Sequence, residues 1–199
     1  MSQHPLAGLS LRQILNKEPG LGDILSELAG FSPEVDDRSY AIIEGSKVES
    51  TLELLLRRSV AHMSKSASEQ FFDKPDAICV GFSKKIYVAH AVQAIGKNTL
   101  KDLNAIRNVR NVFAHSKVHV DFTAPAVIDA CKSLRGWGID ATTTLPPIPG
   151  APELPKKDHS PARTAYGVTC DSLKRSMVAV MFPGGLASFG AASRGFPLD

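Results

Sequence analysis

Apolar residues recur at three- and four-residue steps through most of this chain, and no segment shows sustained two-residue alternation. The first pattern is the signature of an α-helix with one buried side, and the second would mark a half-buried strand. The sequence therefore predicts an all-α protein. LSLRQILN (residues 9–16) and LGDILSELAG (21–30) predict two short helices, separated by the turn signal Pro19-Gly20. Pro33 and Asp36-Asp37 open a long helix, with acids at its positive end, predicted to run to about Met63. Ala41, Val48, Leu52, Leu55 and Leu56 form its apolar stripe, and Glu53 is placed to pair with Arg57 one turn on.

Further helices follow. SASEQFFDKP (66–75) predicts a short one ended by Pro75, and FSKKIYVAHAVQAIG (82–96) another with Gly96 as its stop. Asn98 is the expected N-cap of NTLKDLNAIRNVRNVFAH, in which Leu100, Leu103, Ile106, Val109 and Phe113 form the buried stripe. Thr123 and Pro125 open APAVIDACKSLRG, expected to end near Gly136. VHVDF (118–122) reads as a short extended connection. The expected architecture is an antiparallel helical bundle over residues 1–141. A Pro-rich strap follows at 142–160, where five prolines remove backbone donors, then an additional C-terminal helix at 161–182 and an unstructured tail at 183–199.

Composition narrows the class. The chain has 199 residues, of which 43% are hydrophobic and 22% charged, enough for one domain with a core and too apolar for general disorder. No stretch approaches the roughly 20 apolar residues of a membrane span, and the start lacks the basic and apolar regions of a secretory signal. Cys79, Cys131 and Cys170 are odd in number and widely spaced, which excludes a disulfide framework and a paired-cysteine zinc site. Three thiols and no export signal lead to the expectation of a cytoplasmic protein, without cofactor or metal.

Charge is uneven. Residues 1–83 carry 8 basic and 12 acidic residues, whereas residues 84–117 carry seven basic residues and one acid, Asp102. Lys84, Lys85, Lys101 and Arg107 lie in that segment and are candidates for binding phosphate or an acidic partner.

The segment ends in RNVRNVFAHSK (107–117). On a helix, Asn111 and His115 stack one turn apart, and Arg110 lies roughly 140° from His115, so the two flank a common groove. A helix C-terminus favours a protonated imidazole. An arginine that holds a phosphate beside a histidine that moves a proton is what metal-independent RNA cleavage requires, with the 2′-hydroxyl as nucleophile. The same three residues equally serve a structural role, Asn111 and His115 capping the helix end and Arg110 paired with Glu44 or Glu49 on the long helix.

Arg110-Asn111-Val112-Phe113-Ala114-His115 resembles the R-x4-H motif of the HEPN superfamily of helical domains. VESTLELLLRRSV followed by FSKKIYVAHAVQAIGKNTLKDLNAIRNVRNVFAHS is similar, in order and wording, to the mannitol operon repressor (MltR-like) family. The resemblance covers about residues 35–135. It implies a helical homodimer and a cytoplasmic regulator of a carbohydrate operon, working through a protein partner such as a phosphotransferase-system phosphocarrier. No helix pair presents a polar recognition face, so direct DNA reading is not expected. RNA is a partner only if Arg110, Asn111 and His115 are catalytic.

Other constellations are weaker. His115 and His119 have a ligand spacing only on a continuous helix and lack a third ligand. His62 and His90 fall among apolar positions and read as core or rim residues, and Phe71, Phe72 and Trp137 as core or interface anchors. Gly184-Gly185 follows no strand and is no phosphate loop.

Overall fold

The computed structural model describes residues 6–15, 36–139, 160–181 and Leu198. These form seven helices and no strand: α1 (Leu11–Leu15), α2 (Asp37–Ser59), α3 (Lys65–Phe72), α4 (Phe82–Ala91), α5 (Lys97–His115), α6 (Pro125–Lys132) and α7 (Pro161–Met181). The protein is all-α, as the apolar periodicity predicts. The helix expected at 21–30, the strap up to residue 159 and the tail apart from Leu198 lie outside the described residues. Among the described residues no helix is long and apolar enough to cross a membrane.

The chain divides into two compact units, Met1–Glu44 with Asn108–Val168, and Gly45–Arg107 with Thr169–Asp199. The divisions therefore fall inside α2, α5 and α7.

The first unit is built around aromatic rings. Phe122 lies 4.8 Å from Phe113, 5.5 Å from Tyr166 and 6.3 Å from Tyr40, centroid to centroid. Tyr166 and Phe122 are fully buried, and the Tyr166 hydroxyl donates to the Ala41 carbonyl at 2.9 Å, so its burial leaves no polar atom stranded. Asp36 caps α2 by accepting from the Ser39 amide at 2.9 Å and the Ser39 hydroxyl at 2.8 Å. Asp37 accepts from the Phe122 amide and from Arg163, whose guanidinium also lies over the Tyr40 ring. The segment after α5 is extended, with Val118, Val120 and Phe122 buried while Lys117 and His119 are exposed. That agrees with the expected connection.

In the second unit Val48, Leu52, Leu55 and Leu56 of α2 are buried, as are Phe72, Phe82, Ile86, Leu103, Ile106, Leu173 and Met177. The helix predicted after the Pro-rich stretch thus supplies core residues, including Tyr166 to the first unit and Leu173 and Met177 to the second.

Several boundaries differ from expectation. α2 stops at Ser59 rather than Met63, because no residue from Arg57 to Met63 is buried and the backbone tightens into turns such as Met63 amide to Val60 carbonyl. α4 stops at Ala91, five residues before Gly96. Gln93 takes a positive φ of 58°, and the Ala94 amide bonds the Ala89 carbonyl, closing the helix with a non-glycine residue. Asn98 lies within the first turn of α5 rather than capping it. Gly96 precedes that helix, donating its amide to the Leu198 carbonyl and accepting from the Leu100 amide. At α6 the cap is Ala124, because Thr123 turns its hydroxyl and amide onto Asp121. The same helix ends at Lys132, followed by turns through Leu134 rather than continuing to Gly136.

In the first unit α2 approaches α7 tightly at Gly167, where a Cβ atom would overlap the Tyr40 hydroxyl and lie 3.3 Å from its ring carbon Cζ. Tyr40 is held by Phe122 and Arg163 and cannot swing away cheaply. Gly167→Ala gains about 1 kcal/mol of helix propensity, but overpacking costs typically about 1–3 kcal/mol, and the variant is expected to be less stable. In a Tyr40→Phe background the same change should cost at least about 1 kcal/mol less, read by urea unfolding as a double-mutant cycle. Equal costs in the two backgrounds would show that the hydroxyl does not set the approach.

Candidate functional site

The C-terminal end of α5 belongs to the first unit. Val109, Val112 and Phe113 are buried, which fixes the helix by its inner side and turns Asn108 and His115 outward. Asn111 and Arg110 are half-buried. Asn111 and His115 therefore sit one turn apart on one outward face, with Arg110 beside it.

The helix end is held from below. The Ser116 amide continues the helical pattern to the Val112 carbonyl, and the buried Ser116 hydroxyl accepts from the Val118 amide at 3.2 Å. Arg38 of α2 reaches the Ser116 carbonyl at 3.1 Å, a cation at the negative end of α5. Arg38 was not among the residues that the sequence singles out. Seventy-eight positions separate it from Ser116, and the only local sign is one basic residue directly after Asp36-Asp37.

Two neighbouring features are separate from this helix end. His119 lies in the extended segment, exposed, with its Nε2 3.9 Å from Asp121. Because α5 ends at His115, the i,i+4 ligand geometry for His115 and His119 does not arise, and among the described residues no group of three His, Cys, Asp or Glu could hold a metal ion. Glu44 is half-buried on α2.

The second unit holds Lys84, Lys85, Lys101, Arg107 and Glu49. Lys84 and Lys101 are exposed. Arg107 is half-buried and donates to the Ser83 hydroxyl at 2.5 Å, which ties the far end of this part of α5 to the start of α4. Lys85 is buried and bonds Glu49 at 2.9 Å and Glu53 at 2.8 Å. Glu53 also accepts from Arg57 at 2.8 Å, the predicted i,i+4 pair, and Arg57 continues to Asp73 at 2.5 Å while lying over the Phe72 ring. The result is a chain of five charges that fastens α4 and the end of α3 to α2. His90 contacts the Ile95 carbonyl through Nδ1 at 3.1 Å, a rim position, whereas His62 is exposed beyond the end of α2.

The charges in this chain reinforce one another. Burial by itself raises the Glu53 carboxyl, but hydrogen bonds from Lys85 and Arg57 outweigh it and hold the group below its ordinary range. Burial by itself lowers the Lys85 ammonium, and the bonds to Glu53 and Glu49 outweigh that too, raising it. The three cysteines are buried and none is in a disulfide. Burial pushes the Cys131 thiol up to about 12 and also raises Cys79, so neither is a nucleophile at neutral pH.

Comparison of the chain with models of protein families, with curated proteins and with solved structures finds no match in any of the three.

The five-charge chain makes stability depend on pH at both ends. A carboxylate held low in the folded state stabilises above its ordinary value of 4.5 and loses that contribution as pH falls through the folded value. An amine held high stabilises fully below its ordinary 10.5 and loses the contribution as pH rises through the folded value. Glu53→Gln is therefore expected to flatten the acid limb of the urea midpoint against pH, and Lys85→Met the alkaline limb. Lys85→Met leaves two carboxylates facing each other and should cost roughly 2–3 kcal/mol, less than a fully buried pair would. Glu53→Gln should cost less, since Glu49 still holds the lysine. The opposite order would mean that Lys85 is not the centre of the chain.

Proposed function

We propose that this protein is an MltR-like cytoplasmic regulator, a helical homodimer that lowers transcription of a carbohydrate operon through protein–protein contact rather than by reading DNA. The wording of α2, α4 and α5 supports the family assignment. One structural observation carries the interaction role: of the seven large apolar side chains left exposed among the described residues, six (Leu54, Ile78, Val80, Tyr87, Val92 and Val180) belong to the second unit and one, Ile43, to the first. Single exposed apolar residues are ordinary, and a unit that leaves six of them at its surface offers apolar area that a partner protein could cover. A phosphocarrier of the sugar phosphotransferase system fits as the partner in this family reading.

Deleting the gene is expected to raise the transcript of the controlled sugar operon, and the tagged protein is expected to co-purify with one specific partner. Light scattering at micromolar concentration should return a dimer. Salt-resistant binding of the purified chain to the operator, or an unchanged transcript in the deletion, would sink this reading.

A second reading rests on the end of α5. His115 is exposed, Asn111 lies one turn before it, and Arg110 flanks them, an arrangement suited to holding an RNA phosphate and moving a proton without a metal. Labelled RNA incubated with the protein in excess EDTA would then be cleaved, and cleavage would fall by two orders of magnitude or more, about 10²–10⁴-fold, in His115→Ala. Equal cleavage by both proteins would identify a contaminant and remove the reading.

A further inference from the structure

We propose that the solvent side of the α4–α5 hairpin in the second unit, centred on Tyr87 and framed by Lys84, Lys97 and Lys101, docks an acidic protein segment that carries apolar anchor side chains. This rests on the protein-contact reading above and names its surface and the chemistry of its partner. On α4 the buried positions are Phe82, Lys85, Ile86 and Ala89, and the exposed ones are Lys84, Tyr87 and Ala91. By the 3.6-residue period those three lie within roughly 60° of one another. Tyr87 is 57% exposed, and Val92, directly after the helix, is 45% exposed. On the facing part of α5, Thr99, Asp102, Leu103 and Ile106 are buried, while Lys97 and Lys101 are exposed. The Arg107–Ser83 bond closes the open end of this hairpin, so the surface stands on two braced helices.

Charge identifies the partner. Over residues 82–107 the exposed charged side chains are Lys84, Lys97 and Lys101, all positive. Asp102 is buried, Lys85 is engaged inward with Glu49 and Glu53, and Arg107 is half-buried against Ser83. The hairpin thus presents three lysines and no acid around an exposed tyrosine. Lysine stems add apolar area while their ammonium groups steer an acidic partner in. Tyrosine is among the side chains that dominate binding energy when covered. A nucleic acid would satisfy the lysines and stack on Tyr87, but would leave Ala91 and Val92 without a complementary surface. An acidic segment with apolar anchors covers both.

Fluorescence anisotropy of the full chain with a short helical peptide, glutamates flanking leucine and phenylalanine, tests this directly. The peptide is expected to bind, more weakly as salt rises. Tyr87→Ala should weaken binding about tenfold, the Lys84→Glu/Lys101→Glu pair several-fold, and Tyr87→Phe only slightly. Tyr87 is exposed, so thermal melting should be unchanged in all the Tyr87 variants and separates loss of binding from loss of fold. The proposal is overturned if the peptide does not bind, if serine in place of its leucine and phenylalanine binds as well, or if single-stranded RNA binds more tightly with the same lysine dependence. The regulator reading fails separately. If Tyr87→Ala still represses the operon and still holds its co-purifying partner, the docking surface is wrong and the regulator stands. If the wild-type chain does neither while the peptide binds, the surface stands and the regulator reading falls.

Discussion

The approach of α2 to α7 in the first unit constrains much else in that unit. At Gly167 the two helices come close enough that the Tyr40 hydroxyl fills the space a side chain would need. One residue earlier on α7, Tyr166 reaches the Ala41 carbonyl, and three residues before that Arg163 engages Asp37 and covers the Tyr40 ring. These contacts set the register of the two helices. They also place Tyr166 against Phe122, which packs in turn on Phe113, two residues before His115. The position of the α5 end therefore depends on the glycine of a helix more than 50 residues further along the chain, through tightly packed rings that transmit displacement rather than absorb it.

The basic segment at 84–117 divides by burial into two kinds of charge. Lys85 and Arg107 hold the second unit together, the first in a chain of ion pairs with Glu49, Glu53, Arg57 and Asp73, the second on Ser83. Lys84, Lys97 and Lys101 remain at the surface. The sequence total treats these residues alike. A buried ammonium contributes only with its carboxylates in place, whereas an exposed one acts at a distance on whatever approaches. Stability therefore attaches to the first group, while the second is what solvent and any approaching molecule meet.

Much of the helical plan was legible because burial on a helix imposes a period. Ala41, Val48, Leu52, Leu55 and Leu56 are all buried, as are Leu103, Ile106, Val109 and Phe113. The ends were legible only where a local device sets them, such as Asp36 with Ser39 or Pro125 at the first position of α6. They were misplaced where a distant partner or an uncommon conformation decides: Gln93 at positive φ ends α4, and Gly96 meets Leu198 ahead of α5. For the candidate site, the shared face of Asn111 and His115 follows from their four-residue spacing. The outward exposure of that face and the bracing by Arg38 do not.

By itself, the sequence determined that the chain is helical, which faces its long helices bury, and that Arg110, Asn111 and His115 fall on adjacent faces of one of them. These depend on spacing along a single helix, and spacing is local. The tertiary structure alone decided that Lys85 turns inward while Lys84 and Lys101 stay out, that Arg38 meets the end of α5, and that a side chain at position 167 would run into Tyr40. Each of these depends on groups far apart in the chain, whose meeting is set by packing rather than by period.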